Sequence, residues 1–198
     1  MSYNEKENYI AVHPDPSVWK NHANYFIMQH YQDYIKGVCA DFGCNHGACT
    51  LLLLEWTAKL EAIYGLDMNY EALQVAYHVA NQMSPTLPIN FMAVNLLEIP
   101  LGAELFDFIM TFHTLEHIYP QDVDSFVKEI HRTLKPGGHV LISIPYDHAY
   151  PDEAHVGFYK EPDMIQLFER HGFFVVECIK DDRWEQKDLL TGLFLKPQ

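Results

Sequence analysis

The sequence predicts an α/β fold: a three-layer sandwich around a mostly parallel seven-stranded sheet, with an antiparallel C-terminal hairpin strand. Three observations carry this. Strand-like and helix-like runs alternate through most of the 198 residues, the first strand-like run leads directly into a glycine-bearing turn, and the last two β-rich runs have no helix between them. Strands separated by helices pair in parallel with helices on both faces, and strands joined without a helix pair antiparallel.

The elements follow in order. Ser17 to Lys36 carries Trp19, Tyr25, Phe26, Tyr31 and Tyr34 at mostly helical spacing, after His13-Pro14-Asp15-Pro16, which cannot continue a helix. Residues 1–36 therefore read as an N-terminal helical cover on a core of residues 37–198. Val38 to Ala40 is a short β-type run, and Cys49 to Ala58 a helix-like one. Ala62 to Leu66 forms a second strand ending at Asp67, and Tyr70 to Gln82 has helical spacing through Leu73, Ala76, Tyr77 and Ala80. Ile89 to Leu96 and Phe106 to Phe112 read as the third and fourth strands, with Leu115 opening a helical region. Asp122 to Leu134 is amphipathic (Val123, Phe126, Val127, Ile130, Leu134) and stops at the turn Lys135-Pro136-Gly137-Gly138, before a strand from His139 to Pro145. Asp163 to His171 is the last helix. Phe173 to Lys180 and Leu189 to Leu195, joined by a charged connection, close the chain as a hairpin.

Composition narrows the function classes. At 48% hydrophobic and 20% charged, with no Pro/Gly/Ser-rich linker, the chain predicts one domain with a well-buried core. A formal net charge of −14 with 13 Lys+Arg is a poor footprint for a nucleic-acid partner, whose phosphates must be neutralised by cations. No apolar stretch approaches the roughly 18 residues needed to span a bilayer, and the polar start is unlike a signal peptide, so a cytoplasmic protein without a membrane partner is expected. Four cysteines at 39, 44, 49 and 178 fit reduced thiols better than a disulfide framework or zinc site.

The most informative stretch is Asp41-Phe42-Gly43-Cys44-Asn45-His46-Gly47. Two glycines and an asparagine permit the positive φ that a tight ligand-binding turn needs, and a helix-like run follows at once. A carboxylate at Asp41, two residues before the first glycine, would repel a pyrophosphate and suit an ammonium or sulfonium. In parallel sheets of this kind ligands bind beyond the carboxyl ends of the strands, where this turn, Asp67, Asn95 and the segment after Phe112 all fall.

These residues, taken together and in order, resemble the class I S-adenosylmethionine-dependent methyltransferases along almost the whole chain. The resemblance runs through Asp41 to Gly47, Gly65-Leu66-Asp67-Met68, Asn95-Leu96, Phe106-Asp107-Phe108-Ile109, Thr114-Leu115-Glu116-His117, the Leu134 to Ile142 segment and His171-Gly172-Phe173. The Leu-Glu-His triplet and His155 resemble the small-molecule branch, which includes quinone and sugar methyltransferases. A Rossmann-like core is implied, with S-adenosylmethionine as cofactor and S-adenosylhomocysteine as product. The implied cofactor contacts are Asp41, Gly43, Cys44, Asn45, Gly47, Asp67 (ribose hydroxyls), Met68 (adenine face), Asn95 and Leu96 (adenine) and Phe112. The chain departs from the family at Asn45, usually Gly, and Asn95, usually Asp. An asparagine can still turn left-handed, and its side-chain oxygen can still accept a hydrogen bond.

The sulfonium already activates its methyl, so a base is required only if the acceptor keeps a proton. His113, His117 and His155 are the catalytic candidates, because histidine titrates near neutrality. On a helix, His113, Glu116 and His117 would share one face at a spacing compatible with a divalent metal. Ubiquinone-biosynthesis O-methyltransferases are similar in this stretch, with Glu in place of His113, and bind a metal there. Capping and packing beside the cofactor is the simpler reading, and no metal is expected. His148 joins the candidates on the same loop as His155, and Tyr146, Tyr150, Phe158, Tyr159, Trp19 and Tyr25 could wall a planar acceptor.

The expected activity is methyl transfer to an O, N or C atom of a small-molecule acceptor, quinone-like or sugar-like. A non-catalytic relative is the alternative that Asn45 and Asn95 leave open. A nicotinamide-dependent oxidoreductase fits less well, because it needs a G-x-G-x-x-G turn and this chain offers only Gly43 and Gly47. Neither terminus shows a heptad, so the oligomeric state is open.

Overall fold

A computed structural model describes residues 19–20, 22–149, 152–183 and 188–198. The expectations for His13 to Ser17, Tyr150 and Pro151, and for the 184–187 connection, lie outside the described residues.

Among the described residues, helix α1 (Ala23–His30) precedes strand β1 (Gly37–Phe42). There follow α2 (Ala48–Leu52), β2 (Leu60–Asp67), α3 (Tyr70–Met83) and β3 (Ile89–Ala93). Then come β4 (Phe106–Phe112), α4 (Val123–Thr133), β5 (Leu134–Pro145), α5 (Glu161–Glu169), β6 (Phe174–Asp181) and β7 (Leu189–Leu195). Seven strands form one sheet in the order β3-β2-β1-β4-β5-β7-β6. All pairings are parallel except those of β7, which runs antiparallel to both β5 and β6. The expected Rossmann-like sheet with its antiparallel C-terminal strand is thus the one observed.

Strand alternation sends successive side chains to opposite faces, and each face buries its own core. Ala40, Phe42 and Ile109 point to one face, covered by Phe126, Val127 and Ile130 of α4 and Leu167 and Phe168 of α5. Cys39, Phe108 and Met110 point to the other, covered by Ile27 and Met28 of α1, Leu51 and Leu52 of α2, and Val79 and Ala80 of α3. The α4 stripe Val123, Phe126, Val127, Ile130 recurs every three or four residues, so one apolar side faces the sheet.

Several boundaries differ from the expectation for local reasons. The helix read over Cys49–Ala58 is α only to Leu52 and then tightens to a 3₁₀ turn, Leu53–Lys59, where Trp56 leaves helical geometry with φ −109° and donates its indole N–H to Gln32 Oε1 at 3.2 Å. β3 ends at Ala93 rather than Leu96, because the Asn95 side-chain oxygen accepts the Leu97 N–H at 3.0 Å and turns the chain. The Lys135–Gly138 turn is absorbed into β5 as a bulge: Leu134 pairs with Phe106 and His139 with Phe108, leaving residues 135–138 opposite Asp107 alone. The helix expected from Leu115 is only a 3₁₀ turn, Leu115–His117.

Candidate functional site

The turn after β1 is docked on the end of β2. The backbone N–H groups of Gly43 and Cys44 both donate to the Leu66 carbonyl, at 2.8 and 3.1 Å. Gly43 has φ 80°, and a Cβ there would lie 2.8 Å from Cγ2 of Thr114 and closer still to its hydroxyl oxygen. That hydroxyl is fixed, lying 3.1 Å from the Phe42 carbonyl oxygen and 3.2 Å from that of Phe112, so it ties the ends of β1 and β4 together. Gly47, with φ 82°, caps α2, and a Cβ on it would strike Ala76 at 2.7 Å. Asn45 takes the left-handed conformation, φ 46°, at the position where the resemblance implies glycine.

Asp67 is held on both sides. One carboxylate oxygen accepts the Asn45 N–H at 2.8 Å and the other the Asn69 N–H at 2.8 Å. Each oxygen keeps a lone pair, so both can still accept from a ligand's hydroxyls. Met68 beside it is 82% exposed. The exposed Asn95 caps its own turn with the side-chain oxygen, which retains one further acceptor position. The side chains of Leu96 and Phe112 are buried, Leu96 in the core on one face of the sheet and Phe112 on the other.

Asp41 is buried and accepts the Thr50 hydroxyl at 2.7 Å. Burial pushes its carboxyl up to about 7, Thr50 opposes this, and the Asp67 charge adds to it. Asp41 is thus an enclosed carboxyl whose ionisation responds to pH and to a nearby cation. Cys44 is also buried; burial first, then the charges of Asp41 and Asp67, pushes its thiol well up, so it is a neutral packing group.

On the β4–β5 side, His113 turns the chain with φ 53°, and its N–H donates to the Ser143 carbonyl at 2.8 Å. Its Nδ1 lies 3.5 Å from Glu116 Oε1. Glu116 is 2% exposed, and neither carboxylate oxygen has a hydrogen-bond partner among the described residues. The Glu116 backbone carbonyl accepts the N–H groups of Val156 and Gly157 at 2.8 and 3.0 Å, and His117 Nδ1 sits 3.1 Å from the Ala154 carbonyl. These bonds pin the loop after β5 to the 3₁₀ turn after β4 and bring His155 to His117, with ring centroids 4.9 Å apart. Glu116, His117 and His155, rather than His113, Glu116 and His117, form the convergent set.

One neighbour escaped the sequence reading. His22 caps α1, its Nδ1 accepting the Asn24 N–H at 3.2 Å, and burial, then the nearby His113, holds its imidazole down at about 4. It was missed because the segment reads as helix interior, whereas a side-chain acceptor just ahead of Ala23 marks a helix start. The aromatic wall forms only in part. Trp19 is 1% exposed in the core, Tyr25 packs on Trp56, and Phe158 stacks against the exposed His148 at 3.9 Å. Tyr146 lies under the Lys180 ammonium, and Tyr159 has its hydroxyl pushed up to about 12, by burial and then by Glu116.

The comparisons fit this geometry. A family model described as a methyltransferase domain matches residues 40–142, which run from the end of β1 to the middle of β5. The chain belongs to the methyltransferase domain family. Family membership brings S-adenosylmethionine as cofactor and S-adenosylhomocysteine as product. A probable S-adenosylmethionine-dependent methyltransferase of Mycolicibacterium smegmatis is 31% identical over 170 residues, covering 79% of this chain and 62% of its own. A 2-phytyl-1,4-naphtoquinone methyltransferase of Trichormus variabilis is 26% identical over 104 residues, covering 52% and 44%. The chain spans less than two thirds of the length of the curated relatives it matches. In fold, a S-adenosylmethionine-dependent methyltransferase from Aquifex aeolicus superposes with a TM-score of 0.73 over 99% of both chains, at 17% identity.

Proposed function

We propose that this methyltransferase-family chain binds S-adenosylmethionine at the Asp41–Gly47 turn and Asp67, and transfers its methyl group to an oxygen, nitrogen or carbon atom of a small-molecule acceptor. The observation that carries the reading is Asp67, an oriented carboxylate with acceptor capacity left on both oxygens, beside a turn that has no room for a Cβ at Gly43. Such a pair suits a ribose diol and a methionine moiety. When bound, the sulfonium supplies a methyl already activated for displacement.

The chain's own residues have three tasks. The Asp67 carboxylate holds the ribose, Asn45 and Asn69 hold that carboxylate, and Asp41 places an ionisable carboxyl under the turn. His113, His117 and His155 stand on the acceptor side, where an unprotonated imidazole nitrogen can take the proton of an O–H or N–H acceptor in line with the methyl. The buried side chains of Leu96 and Phe112 back the site from the core. We assign acceptor selection to residues 1–36 and 146–162 of a single cytoplasmic domain.

A quinone-like acceptor is favoured by the relative that methylates a phytyl naphthoquinone. No helix among the described residues is long and apolar enough to cross a membrane, and the net charge of −14 argues against nucleic acid as acceptor. Release of S-adenosylhomocysteine, with methyl appearing in a panel of phenols, quinols, sugars and amines, tests the reading. Turnover with one class supports it. Cofactor binding without transfer to any class would favour the non-catalytic alternative.

A further inference from the structure

We propose that Glu116, His117 and His155 bind a divalent first-row transition cation of the zinc type. Each offers one ligand atom, and the three atoms lie within 4.8 Å of one another. Bonds of about 2.0–2.2 Å to one ion require donor atoms about 3.3 Å apart, so side-chain rotations of about 1.5 Å close the set.

Two further observations point to an ion rather than to a chance cluster. The first is the Glu116 carboxylate: it is 2% exposed, and both oxygens lack hydrogen-bond partners among the described residues. His113 Nδ1 stands 3.5 Å from Oε1, beyond good hydrogen-bond distance, so desolvation of the carboxylate is poorly offset and a cation would offset it. The second is the setting of His117. A carbonyl oxygen can only accept, so the Ala154 carbonyl 3.1 Å from Nδ1 places the ring hydrogen there and leaves Nε2 with a free lone pair. Metal-binding histidines are oriented in this way.

The set is held before any ion arrives. Val156 and Gly157 donate to the Glu116 carbonyl at 2.8 and 3.0 Å, so the loop carrying His155 is fastened to the residue that supplies the carboxylate. His113 stays outside the set because its positive φ and the following 3₁₀ turn replace the helix on which its spacing would have counted. A carboxylate and two imidazoles suit zinc, cobalt, iron or manganese, and three protein ligands leave positions open.

With the ion bound, His117 and His155 are its ligands and no longer serve as the base, and on the methyl-transfer reading above an open position takes the acceptor oxygen. Its O–H bond breaks with the proton passing to water, the oxygen–carbon bond forms as the methyl's carbon–sulfur bond breaks, and the thioether leaves. Cation binding itself does not rest on that reading.

The test is calorimetry and metal analysis of the full chain, stripped with chelator and titrated with ZnCl₂ or CoCl₂ without S-adenosylmethionine, alongside the visible absorption of the cobalt form. One equivalent is expected, with the cobalt band of a nitrogen- and oxygen-ligated ion. Glu116→Gln and His155→Ala should each weaken binding at least tenfold while retaining the parent's circular dichroism. His113→Asn, chosen because asparagine tolerates positive φ, should stay within threefold. Absence of stoichiometric binding by either ion, or binding that survives both E116Q and H155A, overturns the proposal. Zinc binding in a chain that does not bind S-adenosylhomocysteine would leave the cation site standing and remove the methyl-transfer reading.

Discussion

The Asp67 carboxylate accepts the backbone N–H of Asn45 at 2.8 Å, joining the end of β2 to the turn after β1 in one rigid unit. The side chain of Asn45 takes no part in this bond; what matters is that its backbone stands at φ 46° with the N–H turned to Asp67. Asn45→Gly therefore preserves the unit, and its affinity for S-adenosylhomocysteine should stay within about threefold of the parent. Asn45→Val should destabilise by about 1–2 kcal/mol, the cost of a β-branched residue in left-handed geometry. Calorimetry and chemical denaturation read both, and a tenfold gain in N45G would show that the asparagine distorts the turn.

Gly43 and Thr114 compete for one space. Gly43→Ala should cost more than about 2 kcal/mol, combining positive φ with the clash against Thr114. Thr114→Ala alone loses a hydroxyl that ties β1 to β4, about 1 kcal/mol. The double variant should be more stable than the sum of the two losses, because the second change removes the obstacle to the first. Strict additivity in urea denaturation would contradict the packing argument.

The buried Asp41 makes stability depend on pH in a stated direction. Its folded-state pKa is raised to about 7 from the ordinary 3.8, so between those values the folded chain holds a proton that the unfolded chain releases. This contribution is complete below the unfolded value and is lost as pH rises toward 7. Asp41→Asn cannot titrate and still accepts from Thr50. Relative to the parent, it should gain stability between pH 4 and 7 by about 1 kcal/mol per pH unit. Parallel stability profiles for parent and D41N would contradict the assignment.

Two of the thiols should be silent. Cys39, whose thiol burial pushes up to about 12, and Cys44, pushed well up, are both buried. Neither should react with Ellman's reagent in the native protein at pH 8, whereas guanidinium should expose all four thiols. Rapid labelling of Cys44 would mean that the cofactor turn is open.

The sheet was legible because alternation and turn chemistry are local: Gly43, Gly47 and the terminal run of Leu189 to Leu195 announce their roles without partners. So was Asp67, which lies where an apolar strand stops. What escaped depends on contacts distant in sequence. Trp56 breaks its helix on reaching Gln32, and the Lys135–Gly138 turn becomes a bulge only once β4 is beside it. His22 feels the charge of His113 only once the chain is folded, and His155 joins Glu116 and His117 only because two loop amides reach the Glu116 carbonyl. Asp41 was visible as a carboxylate, but its inward turn toward Thr50 was not.

The most direct test of the central claim is calorimetric titration of the full chain with S-adenosylhomocysteine, beside Asp67→Ala. Removing charge-assisted bonds to both ribose hydroxyls should cost roughly 2–4 kcal/mol. One equivalent should bind to the parent, and at least thirtyfold weaker binding is expected in the variant. No binding to the parent, or equal binding to D67A, would contradict the account.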